Sequence, residues 1–304
     1  MNKKKNTPKE TKTQYTAEFK VNNSQQLLAF LLSHLSKQSR NNVKTMLKKH
    51  CVLVDGVVVT QFDYLLVPKQ LVQISKEPVK SKAKGKENSL DIIYEDEEFI
   101  VVNKKAGVLS IATDKEKENT VYHQLVNYVR SQNKHNQVFV VHRLDKDTSG
   151  VLMIAKNPSI RDKLQDDWNN IVTKREYYAL VKGTMPKKED TLVNYLCETS
   201  THIVYVDRGK EGKKAITHYQ VIKENKQYSL LKVDIETGRK NQIRVQLAFI
   251  NHPVVGDEKY GEKESPIKRL GLHANILEFR HPVSGKIMHF ETKIPGEFTK
   301  LFAK

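Results

Sequence analysis

The residues with the most chemistry in them lie at 141–157, VHRLDKDTSGVLMIAKN. Asp145 and Asp147 alternate with Arg143 and Lys146. Thr148-Ser149-Gly150 then lead directly into the apolar run Val151-Leu152-Met153-Ile154-Ala155. A turn needs no such density of charge. A carboxylate fixed at the mouth of a buried strand is a candidate for catalysis. The competing reading of Asp145 beside Arg143 is a surface ion pair, which contributes little.

Two further clusters bear on that choice. In 237–261, TGRKNQIRVQLAFINHPVVGDEKYG, the residues Ile243, Leu247 and Ile250 give a helical apolar face with Arg244 at its edge. An arginine so placed can reach inward to a carboxylate or remain an ordinary helix-surface cation. In 175–183, REYYALVKG, the residues Tyr177, Ala179 and Val181 share one strand face, whose usual job is core packing. Several familiar chemistries are excluded. H-R-L-D is a kinase-like loop with an inserted leucine, but no D-F-G and no glycine-rich phosphate loop accompany it. D-T-S-G at 147–150 is one residue away from the D-T-G of aspartic proteases, and no second copy exists. GKEGK at 209–213 is too short for a phosphate-binding P-loop. The eleven histidines show no tight pair with a carboxylate at metal-ligand spacing, so no metal is expected.

The elements around these clusters read as an α+β domain. Strands are expected at 92–94 and 99–102 around an acidic turn, and then at 151–155, 177–182, 215–222 and 228–235. Helices are expected at 121–130, with Val121, Leu125 and Val129 inward, and at 158–168 and 241–250. Strands outnumber helices and adjoin one another, which predicts a mixed, largely antiparallel central sheet.

The 304-residue chain carries a net charge of +17, of which residues 1–90 supply +11 and the other 214 residues +6. A chain this basic suits a polyanion, and its basic end is the expected phosphate gripper. Residues 1–14 read as a disordered basic tail. Residues 23–36 read as a helix capped by Asn23 or Ser24, with Leu27, Leu28, Leu31, Leu32 and Leu35 on its apolar face. Residues 39–50 read as a second helix capped by Ser39, with Val43 and Leu47 inward. On it Arg40, Lys44 and Lys48 fall four apart and form one basic stripe. A solvated face is the plain reading of that stripe, and the charge bias of the segment favours contact with nucleic acid. CVLVDGVVV signals a hairpin about Asp55-Gly56. Residues 15–75 thus form a small α/β domain, 76–89 a lysine-rich linker, and 90–304 the second domain. No apolar run approaches the ~20 residues of a membrane span, and no apolar segment follows the basic start as in a signal peptide. Cys51 and Cys197 lie far apart and outside any C-x-x-C, which fits a reducing cytoplasm.

H-R-L-D-x-x-T-S-G at 142–150 has companions in a fixed order. NKKAG at 103–107 precedes it. Y-x-A-x-V-x-G at 177–183, K-x-A-x-T-x-Y at 213–219 and T-G-R-x-x-Q-I-R-V at 237–245 follow. His252-Pro253, Gly256-Asp257, Tyr260-Gly261 and LHANILEFRHP at 272–282 complete the series. Over residues 90–300 this series resembles the RluA family of RNA pseudouridine synthases. Residues 20–75 are similar to the small S-four-type RNA-binding domain shared with a ribosomal small-subunit protein. The chain departs from the family pattern at Lys105, where a proline is usual, and at Asn241 and Gln246, where histidine is frequent.

The resemblance implies the pseudouridine synthase fold, RNA as partner, and isomerisation of uridine with neither cofactor nor metal. It assigns the acting carboxylate to Asp145. That group would attack ribose C1′, or stabilise an oxocarbenium-like centre there, or take the C2′ proton. Arg244 would pair with Asp145 and hold its rotamer. Arg143 and Leu144 would take the space of the extruded base or help to flip it. Tyr177 would stack under the flipped uracil, at about 1–3 kcal/mol, and could relay the C5 proton. Leu152 and Ile154 would support the loop from the core. The S-four-type domain leans toward large-subunit ribosomal RNA, with transfer RNA the alternative substrate. A non-catalytic RNA-binding or ribosome-assembly factor is the alternative function. A cytoplasmic monomer is expected.

Overall fold

The computed structural model describes residues 15–60, 62, 64–79, 90–114, 116–261 and 265–302. The expected basic tail at 1–14 and residues 80–89 of the expected linker lie outside the described residues. Contacts divide the chain into two compact units, Met1–Ser89 and Leu90–Lys304.

The first unit runs β1 (Tyr15–Lys20), β2 (Gln25–Gln26), α1 (Leu27–His34), α2 (Arg40–Lys48), β3 (Val52–Val54), β4 (Val57–Val58), β5 (Leu65–Leu66) and β6 (Leu71–Ser75). Four strands form a sheet in the order β1-β6-β3-β4, and β2 pairs with β5. Leu27, Phe30 and Leu31 of α1 and Val43 and Leu47 of α2 pack on Val52, Val72 and Ile74 of the sheet. The first helix is shorter than its leucine pattern suggests. Gln25 and Gln26 are used to pair with Leu66 and Leu65, so neither Asn23 nor Ser24 caps it, and Gln26 stands at the cap without a side-chain bond. Ser39 does cap α2, accepting the Asn42 N–H at 3.2 Å. Asp55 (φ 51°) and Gly56 (φ 78°) make the left-handed pair that a two-residue hairpin requires. Val79 N–H donates to His50 O, so the start of the lysine-rich segment still belongs to this unit.

The second unit runs β7 (Ile92–Glu95), β8 (Phe99–Lys104), α3 (Val121–Gln132), β9 (Phe139–Val140), β10 (Ser149–Ala155), α4 (Pro158–Asp166), α5 (Trp168–Ile171) and β11 (Val172–Lys182). It continues through β12 (Glu189–Glu198), β13 (Val204–Asp207), β14 (Lys213–Glu224), β15 (Tyr228–Ile235), α6 (Gln242–Phe249), β16 (Leu272–Arg280), β17 (Ile287–Glu291) and α7 (Gly296–Lys300). The strands form one α+β sheet in the order β13-β12-β14-β15-β11-β16-β10-β8-β7, with β17 beside β16 and β9 beside β10. Every described pairing in it is antiparallel except β10 with β16. The sheet is therefore mixed and largely antiparallel, as its composition implied. The helix expected over 158–168 divides at Asp167 into α4 and α5.

Strand β10 is buried along its whole length because both faces are covered. Val151, Met153 and Ala155 pack with Ile160 and Leu164 of α4. Leu152 and Ile154 pack with Leu125 and Val129 of α3. Farther along the sheet, Ile243 and Leu247 of α6 cover Ala179, Val181, Leu231 and Val233. No helix among the described residues is long and apolar enough to cross a membrane.

Candidate active site

The loop before β10 is fixed at both ends. At its far end, β10 runs parallel to β16 through Ser149–His273 and Gly150–Ala274. The strands approach so closely that a Cβ on Gly150 would lie 2.0 Å from Ala274 O, and its φ of +114° also demands glycine. Ser149 Oγ lies 2.7 Å from His273 Nδ1 and accepts from Arg269 Nη2. Burial and the charge of Arg269 push the His273 pKa down to about 4, so the ring is neutral. At the near end, the Met153 N–H donates to His142 Nε2 at 3.0 Å. Burial, then Arg175, push the His142 pKa down to about 3, which keeps that nitrogen an acceptor.

Between those anchors, both peptide carbonyls flanking Asp145 are held. Leu144 O accepts the Ser110 hydroxyl at 2.8 Å, and Leu144 N–H donates back to it at 3.1 Å. Lys146 O accepts from Lys104 Nζ at 2.8 Å, and the same ammonium donates to Val108 O at 2.6 Å and Lys105 O at 3.2 Å. Lys104 is 2% exposed. Burial lowers its pKa to about 7 against the opposing pull of Asp147 and Asp145.

Helix α6 supplies the other half. Asn241 precedes it in the left-handed conformation (φ 55°), and Arg244 follows on the first turn. Arg244 Nε and Nη2 bind the two oxygens of Asp257, each at 2.7 Å. Nη1 donates to Asn241 Oδ1 and to Asp145 Oδ2, each at 3.1 Å. Asp257 is fully buried, and its Oδ1 also accepts from Lys259 N and Tyr260 N. The guanidinium lies 5.2 Å over the Tyr260 ring, and Tyr260 Oη accepts from Asn241 Nδ2. Burial alone would lower the Arg244 pKa, but the bonds and charges of Asp257, then Asp145, raise it. Asp257 thus fixes the guanidinium in its plane, and the guanidinium in turn fixes one oxygen of Asp145. Asp145 is 30% exposed at its side chain, and Oδ1 has no partner among the described residues.

The structure brings Asp145, Arg244 and Tyr177 to one neighbourhood. The Tyr177 ring packs partly against the clusters that hold Ile243 and Leu144. Burial pushes its pKa up to about 12, with Arg175 opposing and Asp145 reinforcing the shift. Arg143 is exposed. Leu144 is not displayed beside it. It is 7% exposed and packs with Val108, Leu125, Leu152 and Ile154, because Ser110 ties its backbone down. In the first unit Arg40, Lys44 and Lys48 are all exposed on α2, and Lys44 Nζ lies 5.5 Å over the Phe62 ring.

The departures from the family pattern find places too. Gln246 is fully buried, accepts from Thr217 Oγ1 at 2.6 Å and donates to Asn194 Oδ1 at 2.9 Å, tying α6 to β12 and β14. Asn241 touches Arg244 directly. Asp257, Lys104 and Ser110 received no role from the sequence. Asp257 was visible only as half of a Gly-Asp pair, and nothing in NKKAG distinguishes a buried lysine from an exposed one. Outside this site, Asp96, Glu98 and His281 bring ligand-type atoms within 4.8 Å of one another. His281 Nδ1 accepts from Val283 N and Ser284 N, and Nε2 faces Asp96 at 3.3 Å, so the ring is used to cap its own turn.

Known proteins resemble this chain over most of its length. Residues 98–249 match the family model described as RNA pseudouridylate synthase. The uncharacterized RNA pseudouridine synthase YlyB of Bacillus subtilis is 31% identical over 283 residues, 91% of this chain and 93% of the relative. The ribosomal large subunit pseudouridine synthase D of Escherichia coli is 31% identical over 278 residues, 86% of this chain and 85% of the relative. Among solved structures, human RNA pseudouridylate synthase domain containing 1 superposes with a TM-score of 0.55 at 27% identity, covering 67% of this chain and 83% of its own. The chain belongs to the RNA pseudouridylate synthase family and is an RNA pseudouridine synthase.

Proposed function

We propose that this synthase isomerises particular uridines of structured, large-subunit ribosomal RNA, with Asp145 as the reacting carboxylate. The observation that carries the assignment is the state of that side chain. One oxygen is held by Arg244, the carbonyls of the residues before and after Asp145 are tied down, and the other oxygen has no partner among the described residues. A group so restrained meets the requirement for attack at a ribose carbon, where a fraction of an ångström matters. The balanced reaction breaks the N1–C1′ bond, rotates the uracil and forms the C5–C1′ bond; C5 loses its proton and N1 gains one, directly or by exchange through solvent. Asp145 either bonds C1′ transiently or removes and returns the C2′ proton, and is regenerated in both routes.

Tyr177 is read as the ring under the extruded uracil. With a pKa of about 12 its phenol is protonated at neutral pH, so it passes the C5 proton only by giving up its own. Arg143, exposed on the loop, is read as the RNA-facing residue beside the vacated stack. Leu144 supports it from beneath. The choice of ribosomal over transfer RNA rests on the relatives named for the large subunit and on the basic first unit, read as an S-four-type RNA-binding domain. Arg40, Lys44 and Lys48 would grip phosphates there.

Chemical mapping of pseudouridine in total cellular RNA, with and without the gene, identifies the target. On that RNA, Asp145→Asn is expected to lower turnover by about 10⁴-fold or more while binding persists. Turnover close to wild type in Asp145→Asn and Asp145→Ala would sink the assignment.

A further inference from the structure

Arg175 is a cation that the reaction scheme above leaves unused. It lies on β11 two residues before Tyr177, so the two side chains project from the same face of the strand. Arg175 is half-buried, and burial lowers its pKa. Among the described residues only one of its five N–H groups has an acceptor, Nη2 donating to Glu236 O at 2.6 Å. No carboxylate among the described residues pairs with it. Arg244, on the same side of the sheet, has two carboxylates and an amide oxygen. A half-buried guanidinium without a counter-charge is costly to keep.

The backbone at Gly238 passes close to the end of this side chain. A Cβ on Gly238 would lie 2.8 Å from Arg175 Nη1, and Gly238 has no positive φ that would itself require glycine. That residue of the T-G-R cluster therefore leaves room for a guanidinium. Tyr177 lies within electrostatic reach of both Arg175 and Asp145. The separation of strand neighbours two residues apart, about 7 Å, is of the order of that between a base and its own backbone phosphate.

We propose that Arg175 binds an RNA phosphodiester next to the target uridine, in the fork geometry that a guanidinium offers a phosphate. The proposal rests on the RNA-modifying reading. With the base on Tyr177, the phosphate supplies the counter-charge the protein omits. Gly238 leaves the space the guanidinium occupies, and Glu236 O holds one corner of the fork.

The test measures affinity of the full-length protein for transcribed large-subunit ribosomal RNA across a range of salt concentrations. Pseudouridine formation by the wild type on the same RNA is measured first. If that RNA yields no product, the substrate reading fails by itself, and transcribed transfer RNA replaces it as the probe. Arg175→Gln is expected to weaken binding about 10- to 100-fold and to reduce the slope of log affinity against log salt by about 0.7–0.9. Arg175→Lys is expected to retain the slope, because it retains the charge. Gly238→Ala, which keeps every charge but pushes the guanidinium aside, is expected to weaken binding without adding to the effect of Arg175→Gln in the double variant. An unchanged salt slope in Arg175→Gln, or weakening that comes only with a fall in thermal midpoint, would mean that Arg175 merely staples β11 to Glu236. Either result overturns the proposal.

Discussion

The corner around Asp145 and the basic face of α2 are both built from charged side chains, yet they treat charge in opposite ways. Arg244 is 13% exposed and every arm of its fork is bonded within the protein. Arg40, Lys44 and Lys48 are exposed and make no ion pair among the described residues. The difference fits the tasks proposed for the two regions. A reacting carboxylate must be held to within a fraction of an ångström, so its neighbours are matched in advance. Phosphate-binding cations must keep their donors for the RNA, whose charge completes them and releases counter-ions. Arg175 shows the second pattern in the setting of the first, which is why it stands out.

The sharpest way to break the comparison is to unmatch the matched corner. Asp257→Asn keeps the shape of the side chain but leaves Arg244 buried without its main counter-charge. Breaking a buried pair from one side costs about 3–5 kcal/mol of stability. Loosening the guanidinium also frees Asp145, so turnover is expected to fall about 10²-fold even in the molecules that stay folded. Thermal unfolding and single-turnover kinetics on the mapped RNA check the two effects separately. A variant with wild-type rate and stability would show that Asp257 is a bystander.

A smaller effect is expected at Lys104, the cation buried under the loop. Its folded pKa of about 7 lies below its free value of 10.5. Between those limits the unfolded chain binds more protons than the folded one, so stability rises as pH rises through that window. One such group contributes a slope of up to about 1.4 kcal/mol per pH unit. Lys104→Met is expected to flatten stability across pH 7–10 in denaturant titrations. It also removes one of the two bonds to Lys146 O, leaving only the Gly107 N–H at 3.0 Å, so the variant should turn over more slowly at every pH. An identical pH profile in wild type and variant would place the titration elsewhere.

Much of this was legible in the sequence because its signals are local. The uninterrupted apolar run gives β10, and the alternating and four-spaced apolar residues give β15, α3 and α6, to within a few residues, since burial on one face or both sets those patterns. The cap at Ser39 and the turn at Asp55-Gly56 were readable for the same reason. The start of α1 was not, because pairing of Gln25-Gln26 with Leu65-Leu66 is a contact across forty residues. The same limit hid the machinery behind Asp145. Ser110, Lys104 and Asp257 act through bonds spanning 34, 42 and 13 residues respectively, which no periodicity records. The resemblance placed Leu144 beside the extruded base, but its backbone tie to Ser110 and its packing with Leu152 and Ile154 turn it inward. The family order of motifs pointed to the corner that the structure brings together. It did not say which members of each motif touch.

The mildest expected change comes from the unmatched side of the comparison. Replacing Arg40, Lys44 and Lys48 together by glutamine removes three exposed charges that form no ion pair among the described residues. Ser39 still caps α2, and Val43 and Leu47 still hold it to the core, so the melting temperature should stay near wild type. The rate at saturating RNA should fall less than in any variant of the Asp145 corner. The salt dependence of binding is where the loss should appear. Each abolished phosphate contact lowers the slope by about 0.7–0.9, so three should lower it by about 2–3. If the slope holds, the catalytic unit grips RNA without α2, and the +11 of residues 1–90 must act through other residues than this stripe. If instead the rate at saturation collapses with the slope, the two regions are not separable. Binding at α2 would then be setting the geometry at Asp145.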